Sequence, residues 1–331
     1  MYFCSVNFSE QIFNIKSEAD FNESALTVFR HQASNCEVYR SYIQHLKIDV
    51  DSLNHYTEIP FLPISFFKSH QVLSVNKPAE IVFSSSGTTG QTTSKHFVSE
   101  LKVYEESYNK AFELFYGKAD EICILALLPS YLERAGSSLI YMVDDLLKQS
   151  KHPKSGYFLH NLAELHQTLL AQKENGQKTI LIGVTYALLD FVEQFQIEFP
   201  NLIVMETGGM KGKRKEMVRE ELHQILCAGF GVADIHSEYG MTELLSQGYS
   251  YGKGIFNCPP WMKILLRDTS DPLSLLKTKQ SGGINIIDLA NFNSCSFIAT
   301  QDLGKLHNNG SFEILGRFDN ADIRGCNLLV Q

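Results

Sequence analysis

Hydrophobic positions change their spacing three times along this chain. Between Asn22 and Leu46 the apolar residues Val38, Tyr39, Tyr42, Ile43 and Leu46 recur at helical intervals, which predicts that the chain opens with helices, the second capped by Asn35. The stretch EIPFLPISFFKSH (58–70) ends that pattern, because each proline drives the residue before it towards extended backbone. Short apolar runs follow: IVFSS (81–85), ICILALL (122–128), TILIG (179–183), LIVMETGG (202–209) and VADIHS (232–237). They are separated by helical segments such as 213–228, where Met217, Val218, Leu222, Ile225 and Leu226 share a face. Buried strands alternating with helices predict an α/β fold with a largely parallel sheet. After Gly254 the runs GINIIDL, CSFIAT and SFEIL are divided by turn residues such as Asn308, Asn309 and Gly310, a pattern of antiparallel strands. With no repeat or linker, one domain is expected: a helical segment over about 1–58, an α/β core over 59–253 and a β-rich part over 254–331.

Composition narrows the classes. The 331 residues are 44% hydrophobic and 20% charged, which excludes disordered and collagen-like chains and leaves two domains or one large one at roughly 150 residues each. Lys and Arg total 29 against 37 Asp and Glu, a net charge of −8 that argues against nucleic acid or an anionic membrane as partner. A small anion remains possible, since loop amides and helix N-termini create local positive potential. The seven cysteines, Cys4, Cys36, Cys123, Cys227, Cys258, Cys295 and Cys326, include no C-x-x-C pair, so neither a disulfide framework nor a zinc knuckle is indicated. The N-terminus has no basic leader and no run of about 18 apolar residues occurs, so a cytoplasmic location is expected.

The chemistry concentrates in four places. FSSSGTTGQTTSK (83–95) leaves a predicted strand and packs Ser85, Ser86, Gly87, Thr88, Thr89 and Gly90 together. Glycines let backbone approach an anion, and amides and hydroxyls supply donors. The spacing G-x-x-x-x-G-K-[ST] is not met, so this is not an ordinary P-loop; the plain alternative is a Ser/Thr-rich turn. In SEYGMTE (237–243), Tyr239 offers a face to a purine and Gly240 leaves room for it. Thr242 offers a hydroxyl to phosphate, and Glu243 a hard carboxylate to Mg²⁺. The alternative there is a strand end with a core tyrosine and a solvated Glu243. In IATQDLG (298–304) Asp302 is an acceptor suited to ribose hydroxyls, and in LGRFD (315–319) Arg317 is a permanent donor fork. A turn aspartate and a surface arginine would read the same way. Eleven scattered histidines form no metalloprotease pattern, and no G-x-S-x-G elbow occurs.

These four segments, in this order and ending with ILGRFDNADIRG (314–325), resemble the motifs of the adenylate-forming superfamily of acyl-CoA synthetases, luciferases and peptide-synthetase adenylation domains. The resemblance implies that superfamily's large domain, with β-sheets flanked by helices and a distorted antiparallel barrel. It implies ATP and Mg²⁺ as cofactors, with the Ser85 to Gly90 loop on the phosphates, Tyr239 and Gly240 at adenine, and Thr242 at the α-phosphate. It further implies Glu243 on Mg²⁺, Asp302 and Arg317 at the ribose, and Gly208 and Gly209 lining the adenine and acyl pocket; a simple turn accounts for that glycine pair equally. His236, just before the second motif, is a candidate to support it. Two departures stand out. The superfamily continues past Asp319, its hinge position, into a lid domain with a lysine, whereas this sequence stops at Gln331. Gln91, Thr92 and Thr93 follow Gly90 where the superfamily commonly has T-G-x-P-K, and the first lysine is Lys95.

The segments LLPSYLERAGSSLIYM, METGGMKGKR and RGCNLLV make the chain similar, from about Ile59 onward, to the acyl-protein synthetase of the bacterial bioluminescence fatty-acid reductase. Phenylacetate-CoA ligases are more distant in pattern. The resemblance implies an acid–thiol ligase that adenylates a fatty acid, passes it to Cys326 and hands it to a reductase or carrier protein. A thiolate on a tail suits that step, while a buried, inert cysteine in a last strand is the other reading. Glu133 to Ser138 would head the acyl tunnel or simply cap a helix. A CoA ligase of the phenylacetate type and a non-catalytic nucleotide-binding subunit remain as alternatives.

Overall fold

A computed structural model describes residues 7–85, 92–129, 135–208, 214, 217–277 and 280–318. Its helices are α1 (Phe8–Phe13), α2 (Glu18–Asn35), α3 (Glu37–His45), α4 (Phe66–Ser69), α5 (Leu101–Tyr116), α6 (Ser138–Ser150), α7 (Leu162–Glu174), α8 (Thr185–Gln194) and α9 (Arg219–Phe230). Its strands are β1 (Leu62–Pro63), β2 (Ile81–Ser84), β3 (Lys95–Val98), β4 (Cys123–Leu127), β5 (Gly156–Tyr157), β6 (Thr179–Val184) and β7 (Ile203–Thr207). They continue with β8 (His236–Tyr239), β9 (Gly248–Ser250), β10 (Ile255–Asn257), β11 (Met262–Arg267), β12 (Ser281–Asp288), β13 (Phe297–Leu306) and β14 (Phe312–Arg317). The chain divides into two units, residues 77–259 and a discontinuous one made of 1–76 with 260–331.

In the continuous unit, strands run in the order β10-β9-β8-β7-β6-β4-β5. Pairing is parallel from β5 through β8 and antiparallel for β8 with β9 and β9 with β10. Every residue of β4 and β6 is buried, as expected of parallel strands covered on both faces, and α6 and α8 pack on them. Strands β2 and β3 form a separate antiparallel hairpin. Helices α8 and α9 approach closely because Gly229 has no side chain: a Cβ there would lie 2.4 Å from Val192 Cβ. Gly229→Ala is therefore expected to destabilise the fold by about 1–3 kcal/mol, read as a lower urea midpoint. An unchanged midpoint would mean that the two helices part freely.

The discontinuous unit is held by contacts between its two sequence halves. Phe29 and Tyr39 from α2 and α3 pack on Phe297 of β13, with ring centroids 6.1 and 6.2 Å away. The buried Gln32 amide donates to the carbonyls of Asn291 (2.9 Å) and Phe292 (3.2 Å), and its oxygen accepts from Ser296 N–H (3.0 Å). Strands β11-β12-β13-β14 pair antiparallel, and β1 joins β13 in parallel.

The mixed α/β fold expected from the sequence is present. Three local expectations need correction. Asn35 is the last residue of α2, and Cys36 is the extended residue before α3, with no side-chain cap bond. Helix α9 begins at Arg219, so Met217 and Val218 precede it; Val218 is 66% exposed, Ile225 is on the outer side, and Leu222 and Leu226 are buried with His223, Gly229 and Phe230. In VADIHS only His236 and Ser237 are strand, which then continues to Tyr239.

Candidate functional site

The Ser/Gly/Thr loop is the connection of the β2–β3 hairpin, whose last pair is Ser84 opposite Lys95. Ser85 closes the neck of that loop: its N–H donates to Ser94 O (3.1 Å) and its Oγ accepts from Ser94 N–H (2.9 Å). On the other edge, Ser84 N–H donates to Gly136 O (2.8 Å), where φ is +84° and a Cβ would meet Ser84 Oγ at 3.2 Å. Ser137 next to it caps α6, accepting from Ile140 N–H at 3.4 Å. Ser86, Gly87, Thr88, Thr89, Gly90, Glu133 and Arg134 lie outside the described residues, as do Gly209, Asp319 and Cys326.

Gly208, with φ of +74°, follows the last residue of β7, and Tyr239 ends the neighbouring parallel strand β8. Carboxyl ends of parallel strands are where open α/β sheets bind ligands. Tyr239 is buried, its ring edge-on to Phe256 at 6.0 Å. After it, Met241 O accepts from Leu244 N–H (3.1 Å) and closes a turn around Thr242 and Glu243. Glu243 is only 6% exposed, so it is not the solvated side chain of the plain alternative. The histidine ring at 96, on β3, reaches this turn: Nδ1 is 2.9 Å from Thr242 O. His96 is 1% exposed, and burial pushes it down to about 4 while the Thr242 carbonyl pulls the other way.

Two half-buried carboxylates that the motifs did not flag brace the strand ends. Glu206 on β7 accepts from Ser237 Oγ (2.9 Å) and Thr185 Oγ1 (3.1 Å), with His223 Nε2 3.7 Å away. Burial alone would raise the Glu206 carboxyl; the His223 ring, the Ser237 hydroxyl and the Arg219 charge hold it below the ordinary carboxylate value. Glu238 on β8 accepts from Thr207 Oγ1 (2.8 Å), and a Cβ at Gly240 would come within 2.4 Å of Glu238 Oε1. Gly240 therefore leaves room for a carboxylate of its own chain. His236 meets the Tyr116 hydroxyl at 3.3 Å, and burial lowers its pKa, with Asp234 opposing.

Asp302 and Arg317 belong to the discontinuous unit. They face each other across β13 and β14, with Arg317 Nε 3.1 Å from Asp302 Oδ1. Asp302 sits mid-strand and 7% exposed, not in a turn, while the Arg317 side chain is 69% exposed. Beneath them Arg267 is buried and donates to Ile284 O (2.7 Å) and Asn285 Oδ1 (2.9 Å), with Phe318 stacked at 5.6 Å. Burial lowers its pKa and the Asp302 charge counters that. Arg267 carried no motif, and the only sequence sign of it is Gly283, where a Cβ would strike its guanidinium at 2.7 Å.

Among the described residues no group of three or more His, Cys, Asp or Glu could hold a metal, and no helix is long and apolar enough to cross a membrane. A single buried carboxylate such as Glu243 nevertheless fits Mg²⁺, which takes one or two protein carboxylates and completes its shell with phosphates and water.

The fold is that of adenylate-forming ligases. An open-conformation 2-hydroxyisobutyryl-CoA ligase in complex with 2-HIB-AMP and CoA superposes with a TM-score of 0.68 at 12% identity, over 92% of this chain and 72% of that one. ATP-bound MatB from Rhodopseudomonas palustris superposes with a TM-score of 0.55 at 16% identity, over 74% of this chain and 50% of MatB. At the level of sequence, the family model "Acyl-protein synthetase, LuxE" matches residues 8–331, and the chain belongs to that family. Over 66 residues it is 41% identical to the long-chain-fatty-acid–luciferin-component ligase of Photorhabdus luminescens, a stretch covering 20% of this chain and 56% of that ligase.

Proposed function

We propose that this protein activates a carboxylic acid, by kinship a long-chain fatty acid, with ATP and transfers the acyl group to a protein thiol. The observation that carries this reading is the pairing of Thr242 and buried Glu243 in one turn, hydrogen-bonded to the hairpin that carries the Ser/Gly/Thr loop, in a chain of the acyl-protein synthetase family. Residues 1–331 act in this reading as one adenylating module, in the cytoplasm.

A carboxylate oxygen of the acid attacks the α-phosphorus of ATP, the bond to the β-phosphate oxygen breaks, and pyrophosphate leaves. The Ser85 to Gly90 loop with Gly208 and Gly209 cradles phosphates and adenine beside Tyr239 and Gly240, and Thr242 donates to the α-phosphate. Mg²⁺ on Glu243 would offset the charge that develops on the phosphates. Asp302 accepts from the ribose hydroxyls and Arg317 fixes the same sugar. In the second step the Cys326 thiolate attacks the acyl carbon, AMP leaves as the anion, and the thioester passes to an acyl reductase or carrier protein.

ATP–pyrophosphate exchange across acids of graded chain length tests the first step, and no exchange with any acid at saturating ATP removes it. For the second, Cys326→Ala is expected to retain exchange and lose the stable acyl label on the protein, read by mass spectrometry of the tail peptide. Label persisting in that variant moves the thiol elsewhere. Acyl-CoA made by the isolated chain would favour a CoA ligase instead.

A further inference from the structure

The two segments that the proposed function assigns to phosphate and metal are joined in this structure by one side chain that no motif contains. His96 lies on β3, opposite Phe83 and one pair away from the neck of the Ser/Gly/Thr loop. Burial alternates along that strand: Lys95 is exposed, His96 buried, Phe97 half-buried and Val98 buried. The ring points inward and meets a backbone carbonyl 146 residues further on, that of Thr242. A carbonyl only accepts, so the hydrogen sits on Nδ1 and the neutral ring keeps its lone pair on Nε2. That assignment agrees with burial, which disfavours the charged ring.

The turn gripped in this way is otherwise held on its far side. Leu244 N–H closes it onto Met241 O, and Ser246, two residues later, meets Ser107 of α5 at 3.0 Å, hydroxyl to hydroxyl. Helix α5 follows β3 after two residues, so hairpin, helix and turn form one continuous brace. Without the His96 bond the Thr242 carbonyl loses its donor, and the spacing between the loop neck and the Thr242–Glu243 pair is no longer set by a hydrogen bond.

We infer that His96 is a positioning residue of the nucleotide site: through its Nδ1–H···O=C bond to Thr242 it fixes the Thr242–Glu243 turn against the phosphate-loop hairpin. The inference rests on the function proposed above and adds to it a specific residue. His96 touches no substrate. It acts on ATP geometry and not on the acid.

The test uses the whole chain and two variants of similar polarity. In His96→Asn the amide nitrogen occupies the position of Nδ1 and can still donate to Thr242 O; in His96→Gln the nitrogen falls nearer the position of Nε2. With ATP–pyrophosphate exchange as readout, His96→Gln is expected to raise KM for ATP by roughly ten- to a hundredfold, the scale of a misplaced binding group, with KM for the acid unchanged. His96→Asn is expected to stay near the wild type on both. A merely structural role would lower the active fraction, and so kcat, in both variants with neither KM moved; that result overturns the inference, as does equal ATP KM in wild type and His96→Gln. Calorimetric titration of ATP into the three proteins repeats the comparison without turnover and covers a variant too inactive for kinetics. A wild type that binds no ATP defeats the functional reading itself, and the role of His96 with it.

Discussion

Glu243→Gln is expected to lower ATP–pyrophosphate exchange by roughly 10²–10³-fold while the protein stays folded, because the change removes one charge from a buried position and leaves its volume. Glu243 is 6% exposed, in the turn that follows β8, where a carboxylate has little water to screen its charge. If the loss reflects weaker Mg²⁺ binding, raising Mg²⁺ should recover part of the exchange rate in Glu243→Gln. Exchange at the wild-type level in Glu243→Gln would remove this residue from the metal and leave the turn as a structural element.

Acid is expected to weaken the fold through His96. In the unfolded chain the ring titrates at its ordinary value of 6.5, and in the folded protein at about 4. Above pH 6.5 the ring is neutral in both states and makes no difference to stability. Between 6.5 and 4 only the unfolded chain takes up the proton, so stability falls with each pH unit; below 4 both states are charged and the loss is complete. The total is on the order of 3 kcal/mol. His96→Asn cannot titrate there. Urea denaturation of both proteins at neutral pH and near pH 4.5 isolates the effect, since the carboxylates titrate in both and cancel in the difference. The stability gap should move by about 2–3 kcal/mol in favour of the variant on going to acid. A gap independent of pH would mean that the ring is hydrated and charges freely.

The parallel core was legible because strands buried on both faces, such as β4 and β6, must be apolar throughout, and ICILALL and TILIG are. The antiparallel part was legible from short runs divided by turn residues; burial alternates along β13, whereas β12 is buried from Gly282 to Asp288. Helix ends were not. Val218 continues the apolar spacing of α9 but lies in the extended residue before it, since periodicity records only which side chains share a face and not where backbone hydrogen bonds begin. Within the site, Asp302 and Arg317 were visible as chemistry, and only pairing of β13 with β14 brings them face to face. His96, Glu206, Glu238 and Arg267 were silent. Their partners are a backbone carbonyl, hydroxyls of neighbouring strands, or a carbonyl of the adjacent strand, contacts that leave no spacing in the chain.

The discontinuity of one unit has a bearing on how the molecule is made. Phe29, Gln32 and Tyr39 emerge from the ribosome early, but Phe297, Asn291, Phe292 and Ser296, against which they rest, come only after residues 77–259 have been translated. At about 5–20 residues per second the opening helices wait on the order of 10–40 s with apolar faces uncovered. The continuous unit has no such delay and can fold first. During this interval nascent chains are most exposed to self-association, so a holding chaperone should raise soluble yield more than one that acts after release.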